Sequence, residues 1–469
     1  MAEVAEVNIA NVDTTPITSH GLAAWRDESR ALLKLAIPLI FTQLAQMAVL
    51  TTDIIMLGRL GKTELASAAL GNTIFFFTWL IGCGPVAAVS PMIAHILGAQ
   101  PNDRAGVRAV TRMGFWAVLM LSLPLMLLLY FTPHIMLMLD QPPVLAAGAG
   151  EFVRALMFGL APSLGYQVLR NFATALGRPR PALWVMAATI LFNLFGDYAL
   201  IFGHFGFPKL GLMGSGISSA CSYTFSFVVM LAIVYATPAL RAYRIFRRFH
   251  RLHWEKLAEI FRLGMPIGLT MIFEAMLFNS ATLLMGTFGT NFVAAHQIAI
   301  NVPSITFMVP LGIGMAATVR VGIAAGAGDG PGVRRAGYTA LVIGAGFMCF
   351  TGVFLCLLPH TIAGLYLADA KANADVIALA ASFLYVAAAF QVFDGLQVVG
   401  AMCLRGLKDA RMPMWIAGGS YWLVGFPTCF ALGIWLDMKG LGIWMGLAVA
   451  LLVASAAMCG RFYILAKRR

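Results

Sequence analysis

KLAIPL at Lys34–Leu39 returns as RLGMPI at Arg262–Ile267, with Pro38 and Pro266 228 residues apart. Each phrase opens an apolar run, and each run leaves through a glycine, Gly58 in the first and Gly286 in the second. GYQV at Gly165–Val168 returns as GLQV at Gly395–Val398, and LGLMG from Leu210 as LGIWMG from Leu441, at offsets of 230 and 231 residues. Apolar segments match one another by chance, so no single phrase decides anything. Agreement of three offsets within a few residues predicts a chain built from two similar halves.

The runs are too long and too frequent for a soluble protein. Of 469 residues, 60% are hydrophobic and 11% charged, with a mean hydropathy of +0.84. A soluble domain carries roughly 25% charged residues, so these side chains could not cover a surface facing water. An outer-membrane barrel needs segments of about ten residues alternating apolar and polar, whereas these runs are continuous for about twenty or more. The expected fold is an all-α integral membrane protein. About twelve spans begin near Ala31, Leu65, Arg108, Ala146, Pro181, Gly211, Ala258, Asn291, Gly332, Ala374, Asp409 and Gly440.

Charge orients them. With an even number of spans both termini share one side, and the connections on that side hold twenty-five Lys and Arg. Seven of these, Arg241, Arg244, Arg247, Arg248, Arg251, Lys256 and Arg262, crowd one central connection. Opposite connections hold only Arg59, Lys62, Lys209, Lys371 and Lys439, while Arg154 and Arg170 fall inside a span. The positive-inside rule then places both termini in the cytoplasm. The net charge of +12 is thereby explained without nucleic acid. The central basic loop divides the chain into a polar tail at 1–30, an N-lobe at 31–240, the loop itself at 241–257 and a C-lobe at 258–469. Parallel repeats of this kind suit a transporter, and Pro38 and Pro266 each remove a backbone hydrogen bond, predicting bent first helices in both halves.

Several motifs are decoys. The seven cysteines show no CxxC or Cys/His spacing and read as small packing residues. The first twenty residues contain Glu3, Glu6 and Asp13 and no Lys or Arg, unlike a cleaved signal. GRLGKT at Gly58–Thr63 lacks the first glycine of a phosphate loop, since that position is Met56. No ATP site, transition-metal site, resident cofactor or enzyme motif is expected.

Only four of the twenty acids sit deep in the expected spans: Asp53, Asp197, Glu274 and Asp394. A central Asp costs about 2.5–3.5 kcal/mol to insert, so four ionised carboxylates cost on the order of 10 kcal/mol before pairing. No Lys or Arg at comparable depth is available to neutralise all four, which leaves metal cations, protons or cationic substrates as partners. The alternative for each acid is protonation or a packing hydrogen bond. Asn193 and Asp197 are four apart and share a face; Gln46 and Asp53, seven apart, share another. Such hard oxygen ligands suit a small cation, Na+ or H+. Phe390, four residues before Asp394, can place a ring beside a cation. Asn279, His296, Gln297 and Asn301 are secondary candidates.

The phrases TDIIMLGRLG at Thr52–Gly61, FNLFGDYALIFG at Phe192–Gly203, GMPIGLTMIFE at Gly264–Glu274, AAHQIAINVPS at Ala294–Ser304 and LRGLKDARMP at Leu404–Pro413 together resemble the multidrug and toxic compound extrusion (MATE) transporters, in their bacterial NorM-type branch. The resemblance runs from about Leu32 to Leu465. It implies two six-helix bundles around a central cleft in a bacterial inner membrane, acting as a monomer that exchanges Na+ or H+ for cationic or zwitterionic drugs or dyes. The family's acids fall on Asp53, Glu274 and Asp394, and its polar pair on Asn193 and Asp197. Some relatives carry Tyr where Phe390 stands, and Thr where Ser219 aligns. A flippase for a lipid-linked saccharide is the rival reading. It needs intramembrane Arg or Lys for a pyrophosphate, and Arg170 is the one clear candidate. A non-transporting scaffold leaves four costly acids unexplained.

Overall fold

The computed structural model describes residues 21–366 and 373–469; the tail before Gly21 and Lys371 lie outside them. Among the described residues eleven helices are long and apolar enough to cross a membrane: α1 (Leu22–Leu60), α2 (Lys62–Ala99), α3 (Arg104–Tyr130), α4 (Pro143–Ala175), α5 (Arg180–Phe202), α6 (Gly211–Ala236), α7 (Trp254–Gly286), α8 (Thr290–Gly326), α9 (Gly330–Leu357), α10 (Ala374–Gly406) and α12 (Lys439–Lys467). The remaining span, α11, occupies residues 411–435 and alternates α-helical with π-helical turns. Gly418, Gly419 and Gly425 lie at its changes of pitch, where missing side chains let the backbone widen. The break in regularity hides α11 from a criterion of length, although apolar content reveals it in the sequence.

At 1.5 Å per residue, α1 is about 58 Å long, well beyond a hydrocarbon core of about 30 Å. Its start therefore precedes the expected Ala31. Trp25, Arg26, Asp27 and Glu28 occupy helical turns that hydropathy alone assigns to the tail.

The duplication reappears in local chemistry. Asp103 caps α3 by accepting from the Gly106 N–H at 2.8 Å, and Asp329 caps α9 by accepting from Gly332 at 2.9 Å; each carboxylate satisfies an orphan donor of the first turn. The exits of α4 and α10 also match. Gly177 and Lys408 are both left-handed, with φ of 71° and 61°, and the next N–H, of Arg178 or Asp409, returns to the carbonyl of Ala173 or Leu404.

The described chain forms two compact units. The first is Phe41–Gly268; the second joins residues 21–40 to Leu269–Arg469. Both α1 and α7 thus begin in one unit and end in the other, and the change comes two residues after Pro38 and Pro266. This is offset from the boundaries drawn at 31–240 and 258–469, because packing rather than chain order assigns the two leading helix halves.

In the second unit, buried Glu28 accepts from Arg320 Nε at 2.8 Å and Nη2 at 2.7 Å, tying the start of α1 to α8. Gly312 of α8 also lies so close to α1 that a Cβ would stand 2.8 Å from the Ile40 nitrogen. In the first unit, Arg108 Nε donates to the Tyr243 carbonyl at 2.8 Å, Arg112 Nη1 to that of Arg248 at 2.7 Å, and Trp116 Nε1 to that of Phe249 at 3.0 Å. These bonds lay the basic loop along α3. A Cβ on Gly84 would stand 2.5 Å from the Gly264 carbonyl, so α2 and α7 meet backbone to backbone, as small residues permit in membranes.

Each unit has its own apolar core. Phe172, Met113 and Leu164 centre the first, and Trp444, Phe383 and Phe390 the second.

Candidate functional site

Asp53 is carried by α1, Asn193 and Asp197 by α5, and Ser219 by α6, all within the first unit. Burial is nearly complete: Asp53 is 8% exposed, and Asn193 and Asp197 are at 0%. Ser219 Oγ donates to Asp53 Oδ2 at 3.0 Å. The second Asp53 oxygen, both Asp197 oxygens and both amide atoms of Asn193 have no hydrogen-bond partner. Yet the two carboxylates and the amide face one another closely enough to interact directly.

Buried, unpartnered oxygens concentrated in one place are costly, and two facing carboxylates cannot both stay ionised without a cation between them. Carboxylate, amide and hydroxyl oxygens fit a small hard cation. A proton shared between the acids also fits.

A serine stripe supports this wall. Ser215, Ser218, Ser219 and Ser222 are buried on α6, at the i, i+3, i+4, i+7 spacing of one helix face. Ser218 Oγ donates to the Asn193 carbonyl at 3.4 Å and also lies beside Asp197. Resemblance singles out Ser219 alone, although the periodicity of the other three is readable in the sequence. Gly196 admits the stripe, since a Cβ there would meet Ser218 Oγ at 2.6 Å.

The second unit brings Glu274 of α7 and Asp394 of α10 within electrostatic reach of each other. Asp394 is 5% exposed, with Oδ1 unpartnered, whereas Glu274 is half-buried. Arg405 lies within reach of Glu274. Its place in the sequence puts it among the charges of a cytoplasmic connection, but it is buried in the last turn of α10. Tyr421 of α11 is fully buried beside Gln397 and both acids. Nothing in local spacing joins Tyr421 to Asp394, because α10 and α11 meet only through packing.

The secondary candidates separate. Phe390 packs against Phe278 and Trp444, with ring centroids at 6.0 and 5.5 Å. His296 is buried against Trp444, its Nε2 3.1 Å from Thr282 Oγ1 and its Nδ1 without a partner. Asn279 and Gln297 are exposed; Asn279 bonds back to the Ala275 carbonyl. Asn301 accepts from the Tyr366 hydroxyl. None of these three joins the acids. Gln46 turns toward Arg170, with Oε1 3.4 Å from Nη1. Among the described residues no cluster of three His, Cys, Asp or Glu offers a transition-metal site.

The chain is similar to known proteins along most of its length. The MatE family model matches residues 38–199 and 266–431, one block in each half. The chain is 44% identical over 439 residues to a probable multidrug resistance protein NorM of Mesorhizobium japonicum, covering 93% of this chain and 94% of the relative. It is 42% identical to the protein of that name in Brucella suis, with 93% of each chain covered. Among solved structures, a point mutant of the Vibrio cholerae MATE transporter VcmN superposes with a TM-score of 0.85 at 16% identity, covering 95% of this chain and 98% of that one. The eukaryotic MATE transporter AtDTX14 gives 0.83 at 22% identity, covering 94% and 96%. These two likenesses establish the shared twelve-span fold. The matched family model over both halves and the full-length relatives together show that the chain belongs to the MATE family of membrane transporters, which are not enzymes.

Proposed function

We propose that the protein is a cation-coupled multidrug antiporter that exports cationic or zwitterionic amphiphilic compounds by exposing its sites alternately to the two sides of the membrane. The observation that carries this reading is the Asp53, Asn193, Asp197 cluster. Its four unpartnered buried oxygens, one on Asp53, two on Asp197 and one on Asn193, ask for a cation that the protein itself does not supply. Glu274 and Asp394 form the second coupling site, and the NorM names of the relatives support drugs as the exported class. Both termini lie in the cytoplasm on this reading, as the basic connections favour.

Inward movement of Na+ or H+ neutralises the acids and favours one orientation, while drug favours the other; a ligand with equal affinity for both would shift nothing. One charge moving through 100 mV supplies about 2.3 kcal/mol. Exchange of one cation for one monovalent cationic drug cancels that term and leaves the ion's concentration gradient, so two acid sites allow a stronger drive. Pro38 and Pro266 are the bending points of α1 and α7, supported by the change of unit two residues after each.

The test uses vesicles containing the purified chain, given Na+ and pH gradients separately and a fluorescent cationic dye. Gradient-driven dye movement with one or both ions is expected. Its absence with several dyes would favour the saccharide-lipid flippase.

A further inference from the structure

Arg170 of α4 is 6% exposed and pairs with no carboxylate among the described residues. Its two hydrogen bonds both leave from Nη1, to Gln43 Oε1 at 2.7 Å and to Gln46 Oε1 at 3.4 Å, and Nη2 makes none. The buried Nε has no acceptor either. Around it stand Tyr166, Cys83 and Gln167, with Gln167 Oε1 also unpartnered. A guanidinium offers five donors in a rigid fork, and burying one without a counter-charge is costly. Two neutral amides do not replace that charge.

The chain itself displays what the open edge of this fork accepts. Arg320, equally buried, uses Nε and Nη2 to hold the two oxygens of Glu28 at 2.8 and 2.7 Å. On Arg170 the corresponding edge has no acceptor, and Gln43 and Gln46 fix Nη1 from the other side. Both glutamines stand one turn apart on α1, so they orient the fork as a unit.

We propose that Arg170, held by Gln43 and Gln46, is an anion-recognising subsite of the first unit that takes the carboxylate of a zwitterionic substrate. The proposal deepens the export reading and rests on it for the substrate class. A carboxylate matches the Nε/Nη2 edge with two parallel charge-assisted hydrogen bonds. Gln46 and Asp53 are two turns apart on α1, about 10 Å along its axis. A zwitterion whose two charged ends are separated by that order of distance can address Arg170 with one end and the Asp53 cluster with the other.

The test measures equilibrium binding to the full chain in phosphatidylcholine nanodiscs, without gradients, of a rhodamine bearing a free benzoate and of its methyl ester. Arg170→Gln is expected to lower the affinity ratio of free acid to ester by about tenfold or more, the loss appropriate to a charge-assisted pair. Arg170→Lys, a charge without a fork, should recover only part of that ratio. Gln43→Glu keeps the arginine and fills its contact with an internal carboxylate, so it should lower the ratio as Arg170→Gln does. Equal effects on both dyes in these variants would make Arg170 a packing residue and overturn the proposal. Loss of the wild-type preference on adding phosphatidylglycerol would assign the site to a lipid phosphate and overturn it as a substrate subsite. A retained preference in a protein that moves no dye under any gradient would sink the export reading and leave the subsite standing.

Discussion

The two units solve the problem of buried acid differently. Around Asp53 and Asp197 stand an amide and hydroxyls, of which only Ser219 donates to a carboxylate, and no basic side chain acts on either acid among the described residues. Around Glu274 and Asp394 the protein supplies the charge of Arg405, and the Tyr421 hydroxyl stands within electrostatic reach without a hydrogen-bond partner. The first site carries two carboxylates with no built-in counter-charge; the second carries two with one. Duplication thus preserved a plan of helices and caps, while the charge stored in each half diverged. Two buried acid pairs in one chain therefore need not hold a cation equally well.

The strongest way to break that comparison is to remove an acid from the charged half. Asp394→Asn should reduce gradient-driven dye transport in vesicles to background while the amount of protein in the membrane stays normal. Full residual transport would remove Asp394 from the coupling machinery and leave the first unit to act alone.

A second break concerns how the units claim their crossing helices. Arg320→Met strands Glu28 without its bidentate partner, and an uncompensated buried charge costs about 3–5 kcal/mol. Thermal unfolding in detergent should show that loss, and the double variant Glu28→Leu with Arg320→Met should regain most of it. A double variant no better than the single one would mean that the pair does not act as a unit.

Arg405→Gln sharpens the comparison. Without the nearby positive charge, the second site should approach the first, and its apparent affinity for the coupling cation should rise about tenfold, or about 1.4 kcal/mol. Titrating cation-dependent dye release measures this, and a fall in affinity would mean that Arg405 holds Glu274 in place rather than competing with the cation.

The smallest effect lies at the matched helix exits. Gly177 takes its left-handed turn without strain, whereas Lys408 carries a Cβ there, at roughly 1–2 kcal/mol. Lys408→Gly should therefore raise stability by about 1 kcal/mol or less in thermal unfolding, part of the gain being offset by the entropy of glycine. Lower stability would show that the lysine side chain outweighs the strain.

Much of the fold is legible without any coordinates. Twelve apolar runs, their repeated phrases and the sided basic residues need only composition and order, because a bilayer imposes length and polarity on every span separately. The four acids are legible for the same reason, since ionised groups in hydrocarbon must have partners. Glu28 is not, because it precedes the apolar run of α1 and hydropathy assigns it to a tail. Arg405 reads wrongly as a loop charge, since a basic residue near a span end looks alike whether it snorkels outward or turns inward.

Composition and residue order alone were enough for the membrane class, the repeated halves, the helix count and the four acids inside the spans. These are local properties, set by the solvent around each segment. Packing of the folded chain was needed to show that α1 and α7 change unit after their prolines, that Arg405 and Tyr421 stand at the second acid pair, and that one edge of Arg170 has no acceptor. Such facts depend on which helix faces meet, and residues on different helices leave no periodic trace of that meeting in the chain.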